Sequence, residues 1–159
     1  MSDIKMSGVV PPVQTLATRA GATSCYFLSA IYIGCCKRAI DAGKETMPAE
    51  EVTSRMCASI KDFDENVRED IISDEYLVKK PWVVATKYGI DKYTSVDKLY
   101  GNDAKKWVAA HPNEVYVGYW ERGSLGHFVV MRNNEVLWNS LKTSSCVTMG
   151  KCTSIRIFR

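Results

Sequence analysis

The sequence predicts an α+β domain with helices first and an antiparallel sheet closing the chain. Three observations predict it. Residues 23–42 hold an apolar run with almost no polar face. From about residue 113 the pattern changes to short segments rich in β-branched and aromatic residues. Between two of those segments stands Asn133-Asn134, a hairpin signal. A helical part over about 1–112 followed by a sheet part over about 113–159 is an α+β order. At 159 residues, 46% apolar and 25% charged, the chain is long enough for one core and is read as a single domain, 1–159.

Taken in order, residues 1–20 read as a leader segment inside the domain, where Pro11 and Pro12 interrupt any helix. Thr23 and Ser24 are capping residues. Tyr26, Phe27, Leu28, Ala30, Ile31, Tyr32 and Ile33 follow, and a helix apolar nearly all round is a buried central one. Gly43 stops it. A second helix is expected from Pro48 to about Ile60, its Glu50 and Glu51 suiting the positive end of the helix dipole. Residues 61–75 read as a connection with some helix. Ser73 to Tyr88 reads as a short helix, with a restart at Pro81 and an end at Gly89. Ser95 to Ala110 reads as one or two more, closed by the turn His111-Pro112-Asn113. Strands are expected at Val115–Trp120, His127–Met131, Glu135–Asn139 and Ile155–Phe158.

Several classes of function are disfavoured. The richest apolar run, Cys25 to Cys36, is far short of the roughly 18–20 residues of a membrane span. The first twenty residues have no apolar core of a secretory signal, so a soluble, cytoplasmic chain is expected. The net charge of +3, from 21 basic and 18 acidic residues, is scattered and does not form the basic stripe that nucleic acid requires. Six cysteines in a chain with ample apolar mass read as reduced thiols rather than a disulfide framework. Cys146 and Cys152 lack the companions of a zinc site, and Gly123-Ser124-Leu125-Gly126 precedes a strand rather than a phosphate-cradling helix. Neither metal nor cofactor is expected.

Cys25 is the candidate nucleophile. It opens the buried helix, where unpaired backbone N–H groups and the dipole favour a thiolate. The competing reading is a small apolar core residue, which is how Cys35, Cys36 and Cys57 are read. Of the two histidines, His111 lies in a solvated turn, whereas His127 starts a strand after Gly126. A base needs a third group to fix its ring, and the facing hairpin strand can supply one. A two-residue loop at Asn133-Asn134 sets His127 opposite Ser140; a three-residue loop sets it opposite Asn139. Both registers stay open on the sequence.

Thr23-Ser24-Cys25-Tyr26-Phe27-Leu28-Ser29, then Gly126-His127-Phe128-Val129-Val130, then Leu137-Trp138-Asn139-Ser140 resemble the papain-like cysteine peptidase superfamily. The resemblance is nearest to small bacterial and phage domains related to the bacteriocin-leader peptidases. It implies a papain-like fold, a buried helix packed on the sheet, and hydrolysis of a peptide or amide bond through a thioester. Cys25 would be the nucleophile, His127 the base and then acid, and Asn139 the orienting group. That superfamily places an oxyanion glutamine about six residues before the cysteine. Here Arg19 stands there, and the nearest upstream glutamine is Gln14, which an intervening loop would have to bring in as the oxyanion donor, with the Cys25 backbone N–H as the second. The resemblance further implies a peptide or protein substrate, with specificity set by the helices between residues 44 and 110. Tyr119, Trp120 and Trp138 are read either as apolar cleft walls or as plain core, the commoner place of strand aromatics. Two alternatives keep related folds: a catalytically inactive binding module, and a Cys-His peptidoglycan amidase or endopeptidase.

Overall fold

In the computed structural model, residues 24–73, 77–141 and 144–159 are described. The expected leader segment, the cap at Thr23 and Gln14 lie outside them. Helix α1 (Ser24–Asp41) is the central element, and Phe27, Leu28, Ala30, Ile31, Tyr32 and Ile33 along it are fully buried. Each such large side chain contributes roughly 1.5–3 kcal/mol through burial. Gly43, at φ 67°, ends the segment in the left-handed region, as its lack of a side chain permits. Helix α2 (Ala49–Lys61) follows Pro48, with Glu50 and Glu51 in its first turn. The short α3 (Phe63–Arg68) lies within the connection, and α4 (Pro81–Tyr88) begins at the expected proline and ends at Gly89.

Two expected helical stretches differ. Ser73 and residues 77–80 are not helical; Ile72 and Val78 form an isolated antiparallel bridge, and the helix starts only at Pro81. Val96–Tyr100 is strand β1, and only Gly101–Ala110 is helical, as α5. The stretch Val-Asp-Lys-Leu-Tyr is exposed at most positions and has little strand pattern of its own. It becomes a strand by pairing with the chain's last segment, from Val96 opposite Phe158 to Tyr100 opposite Ser154.

The remaining strands are β2 (Tyr116–Arg122), β3 (Leu125–Arg132), β4 (Glu135–Trp138) and β5 (Lys151–Phe158), with the five-residue α6 (Ser145–Met149) before the last. The sheet is antiparallel, in the order β1-β5-β2-β3-β4. Strand alternation divides the side chains between its two faces. Val117, Val130, Trp138 and Phe158 meet α1, α2 and α4 in the larger core, where Tyr32 stacks on Trp138 at 5.5 Å. Tyr116, Val129, Met131, Ile155 and Ile157 meet Ala104 and Val108 of α5 on the other face. Among the described residues no helix is long and apolar enough to cross a membrane.

Candidate functional site

The site lies where β4 ends and β3 continues. Asn133 and Asn134 both take positive φ, 51° and 66°, so the loop is the two-residue kind. Arg132 pairs with Glu135 and Met131 with Val136, after which a bulge shifts the register so that Val130 faces Trp138. Neither register drawn from the sequence therefore holds along the whole hairpin. The last ladder pair is Val130–Trp138, and the first part of β3 has no strand on that side.

His127 leans into this vacated edge. Its Nε2 lies 2.6 Å from Asn139 Oδ1, although the two residues are not a strand pair. The same Oδ1 accepts the Leu141 backbone N–H at 3.0 Å, in a turn two residues on. An atom that accepts from Leu141 is an oxygen, so His127 Nε2 must be the donor. The imidazole is then the Nε2–H tautomer, with its lone pair on Nδ1. His127 is 5% exposed, and burial holds its pKa below the ordinary 6.5, partly offset by the bond to Asn139. The ring is neutral at pH 7.

Cys25 reaches the same edge from the start of α1. Ser29 Oγ donates to the Cys25 carbonyl at 2.7 Å, tying down the first turn. In the two-residue hairpin Gly123-Ser124, Arg122 and Leu125 close the loop as a hydrogen-bonded pair, and alternate pairs follow. Phe128, opposite Tyr119, consequently turns its N–H away from β2 toward the edge. That N–H is the strongest of three backbone donors that stabilise a thiolate at Cys25, before those of Tyr26 and Cys25 itself. The thiol thus rests against the peptide that joins His127 to Phe128. Burial nevertheless outweighs these donors and, with the nearby Cys146, pushes the Cys25 pKa above its ordinary value. The expected thiolate at the helix start is therefore corrected: the resting group is a buried thiol. The helix end helps, but desolvation costs more.

The remaining expectations divide. His111 caps the end of α5, stacked on Trp107 at 4.4 Å, and is exposed, as a turn histidine should be. Tyr119 lines a cavity of about 340 Å³ beside Cys25. The two tryptophans do not: Trp138 is buried on Tyr32, and Trp120 lies on the opposite sheet face against Met131. None of the six cysteines is in a disulfide. Arg156, Lys98 and Tyr26 also line the cavity and were missed in the sequence. For Arg156 a signal existed, because a charge two positions before Phe158 shares that residue's inward face.

The chain belongs to the family described as "Protein of unknown function, DUF261", which matches residues 13–159. Comparison with curated proteins and with solved structures finds no match.

Proposed function

We propose that this protein is a papain-like cysteine hydrolase that cleaves a peptide or amide bond through a thioester at Cys25. One observation carries the reading: Asn139 Oδ1, held by Leu141 N–H, fixes the His127 tautomer at the edge where the Phe128 amide meets the Cys25 thiol. Because thiol and imidazole are both neutral at rest, proton transfer accompanies attack. Cys25 Sγ adds to the carbonyl carbon while its proton passes to His127 Nδ1. The oxyanion is received by backbone N–H groups at the start of α1. The tetrahedral intermediate collapses, His127 gives the proton to the leaving amine, and a thioester remains. Water, deprotonated by Nδ1, then releases the acid and restores the thiol.

The test uses p-nitrophenyl acetate on the full chain, with mass mapping of the acyl group. The expected result is acetyl-Cys25 that forms fast and turns over in wild type, and that fails to form at that rate in His127→Ala. Acylation of Cys25 no faster than of the half-buried Cys57, and indifferent to His127, overturns the reading. The burial that holds the Cys25 thiol protonated favours one second reading, an inactive module of the same fold. That outcome would support it.

A further inference from the structure

The cavity beside Cys25 contains a cation without an anion. Arg156 is 8% exposed, and its Nη1 makes both of its hydrogen bonds, to Ser154 Oγ at 3.0 Å and to the Ile155 carbonyl at 3.2 Å. Its Nε is buried and, like the buried Tyr26 hydroxyl, makes no hydrogen bond of good geometry among the described residues; the hydroxyl lies close enough to the guanidinium to feel its charge. Both residues line the cavity. No carboxylate of the described residues pairs with Arg156, whose guanidinium instead lies over the Phe128 ring at 5.5 Å and the Tyr100 ring at 5.7 Å. Lys98 stands directly across the β1–β5 ladder from Arg156 and lines the same cavity. A buried guanidinium left unpaired is costly, and rings compensate only part of that cost.

We infer that this cavity binds a carboxylate of the substrate, so that the bond presented to Cys25 belongs to an acidic peptide or other carboxylate-bearing amide. The Nε edge of a guanidinium is a fork matched to a planar carboxylate. Tyr26 adds a hydroxyl donor and Lys98 a second positive charge. The other walls are apolar or aromatic, among them Leu77, Val78, Tyr119 and Phe128, which suits a carboxylate borne on an organic body over a bare inorganic anion. The inference rests on the hydrolase reading for its placement next to the reacting thiol, while the binding step needs no catalysis.

The experiment therefore reads protection rather than turnover. Iodoacetamide labelling of Cys25 is followed by mass mapping in the presence of N-acetyl-glutamate, N-acetyl-glutamine or inorganic phosphate. N-acetyl-glutamate is expected to slow labelling, with its neutral amide at least about tenfold less effective. Arg156→Gln is expected to abolish the difference. Lys98→Gln, at an exposed position of β1, is expected to weaken protection about two- to fivefold. Equal protection by acid and amide, no protection by either, or phosphate protecting as well as the carboxylate overturns the assignment. Protection by the acid from a protein that p-nitrophenyl acetate fails to acylate would retain the carboxylate site and reject the hydrolase.

Discussion

Asn139 Oδ1 stands 2.6 Å from His127 Nε2 while it also takes the Leu141 N–H, so one side-chain oxygen sets both the ring's tautomer and the turn that follows β4. The double use explains why a residue outside the ladder can hold an imidazole firmly. The turn anchors the amide, and the amide orients the ring.

Replacing that oxygen should uncouple the two jobs. In Asn139→Ala neither His127 nor Leu141 keeps its acceptor, and acylation of Cys25 by p-nitrophenyl acetate is expected to fall by roughly 10²-fold, within the usual contribution of a positioned acid–base group. Asn139→Asp keeps both bonds and adds a negative charge. The imidazolium is then favoured, and the His127 titration followed by proton NMR should move upward from its depressed wild-type position. A downward or absent shift would show that the two side chains do not meet.

His127 also ties stability to pH. Its folded pKa lies below the ordinary 6.5, so on acidification the unfolded chain takes up this proton before the folded one does. The stability contributed by the neutral ring is fully present above about pH 6.5 and is lost as pH falls through the folded value. The urea midpoint of wild type should accordingly drop between pH 7 and 5 more steeply than that of His127→Gln. Parallel curves would mean that the ring titrates as it does in water.

Much of this arrangement was legible in the residues, and the failures have physical causes. The buried α1 was written in its unbroken apolar run, and β2 and β3 in their β-branched and aromatic content. β1 was not, because an exposed edge strand bears no apolar alternation and is created by a partner 54 to 62 residues away. The hairpin loop was correctly narrowed to two lengths, but neither length contains the bulge at Val130/Met131, which sets Val130 opposite Trp138. The choice of Asn139 over Ser140 followed from side-chain reach, not from register. The Cys25 environment was judged from its helix end alone; the weight of burial becomes visible only once the sheet edge closes over the thiol.

The same burial should order the reactivity of the thiols. Desolvation pushes Cys35 and Cys36 up to about 12, and both are almost wholly buried in α1. Neither should react with iodoacetamide in the native protein at pH 8, and both should react after unfolding in urea. Cys57 and Cys152 are half-buried and should label in the folded state. For Cys25, whose pKa is also raised, the labelling rate should still be climbing above the free-thiol value of roughly 8.5. A plateau below neutrality would indicate a resting thiolate and reverse the assignment of a neutral pair.

Lys37 offers a test on the far side of the central helix. It is 4% exposed and bonds Asp41 at 2.7 Å, Glu114 at 3.1 Å and the Val115 carbonyl at 2.8 Å, joining α1 to the start of β2. Removing the ammonium leaves two partly buried carboxylates beside each other. Lys37→Met is expected to cost about 3 kcal/mol in urea unfolding. A loss under 1 kcal/mol would show that the carboxylates simply turn to water.

A last prediction concerns sign as well as size. In an isolated helix, replacing an interior glycine by alanine stabilises by about 1 kcal/mol. Gly34 lies in the middle of α1, yet a Cβ there would collide with the Ala85 backbone of α4, and the Gly34 carbonyl also receives the Ile90 N–H at 2.9 Å. Backbone cannot swing aside as a flexible side chain can, so the two helices would have to separate. Gly34→Ala is expected to destabilise by about 3 kcal/mol, at the upper end of the usual cost of overpacking. Because Cys25 is carried on the same helix, Cys25 acylation should fall with it. Gly43 makes the control: open space surrounds it, but its φ of 67° is one an alanine resists, so Gly43→Ala should cost only about 1 kcal/mol and leave acylation unchanged. If Gly34→Ala proved neutral or stabilising, α1 and α4 would not be in backbone contact, and the position of Cys25 against β3 would lose its support.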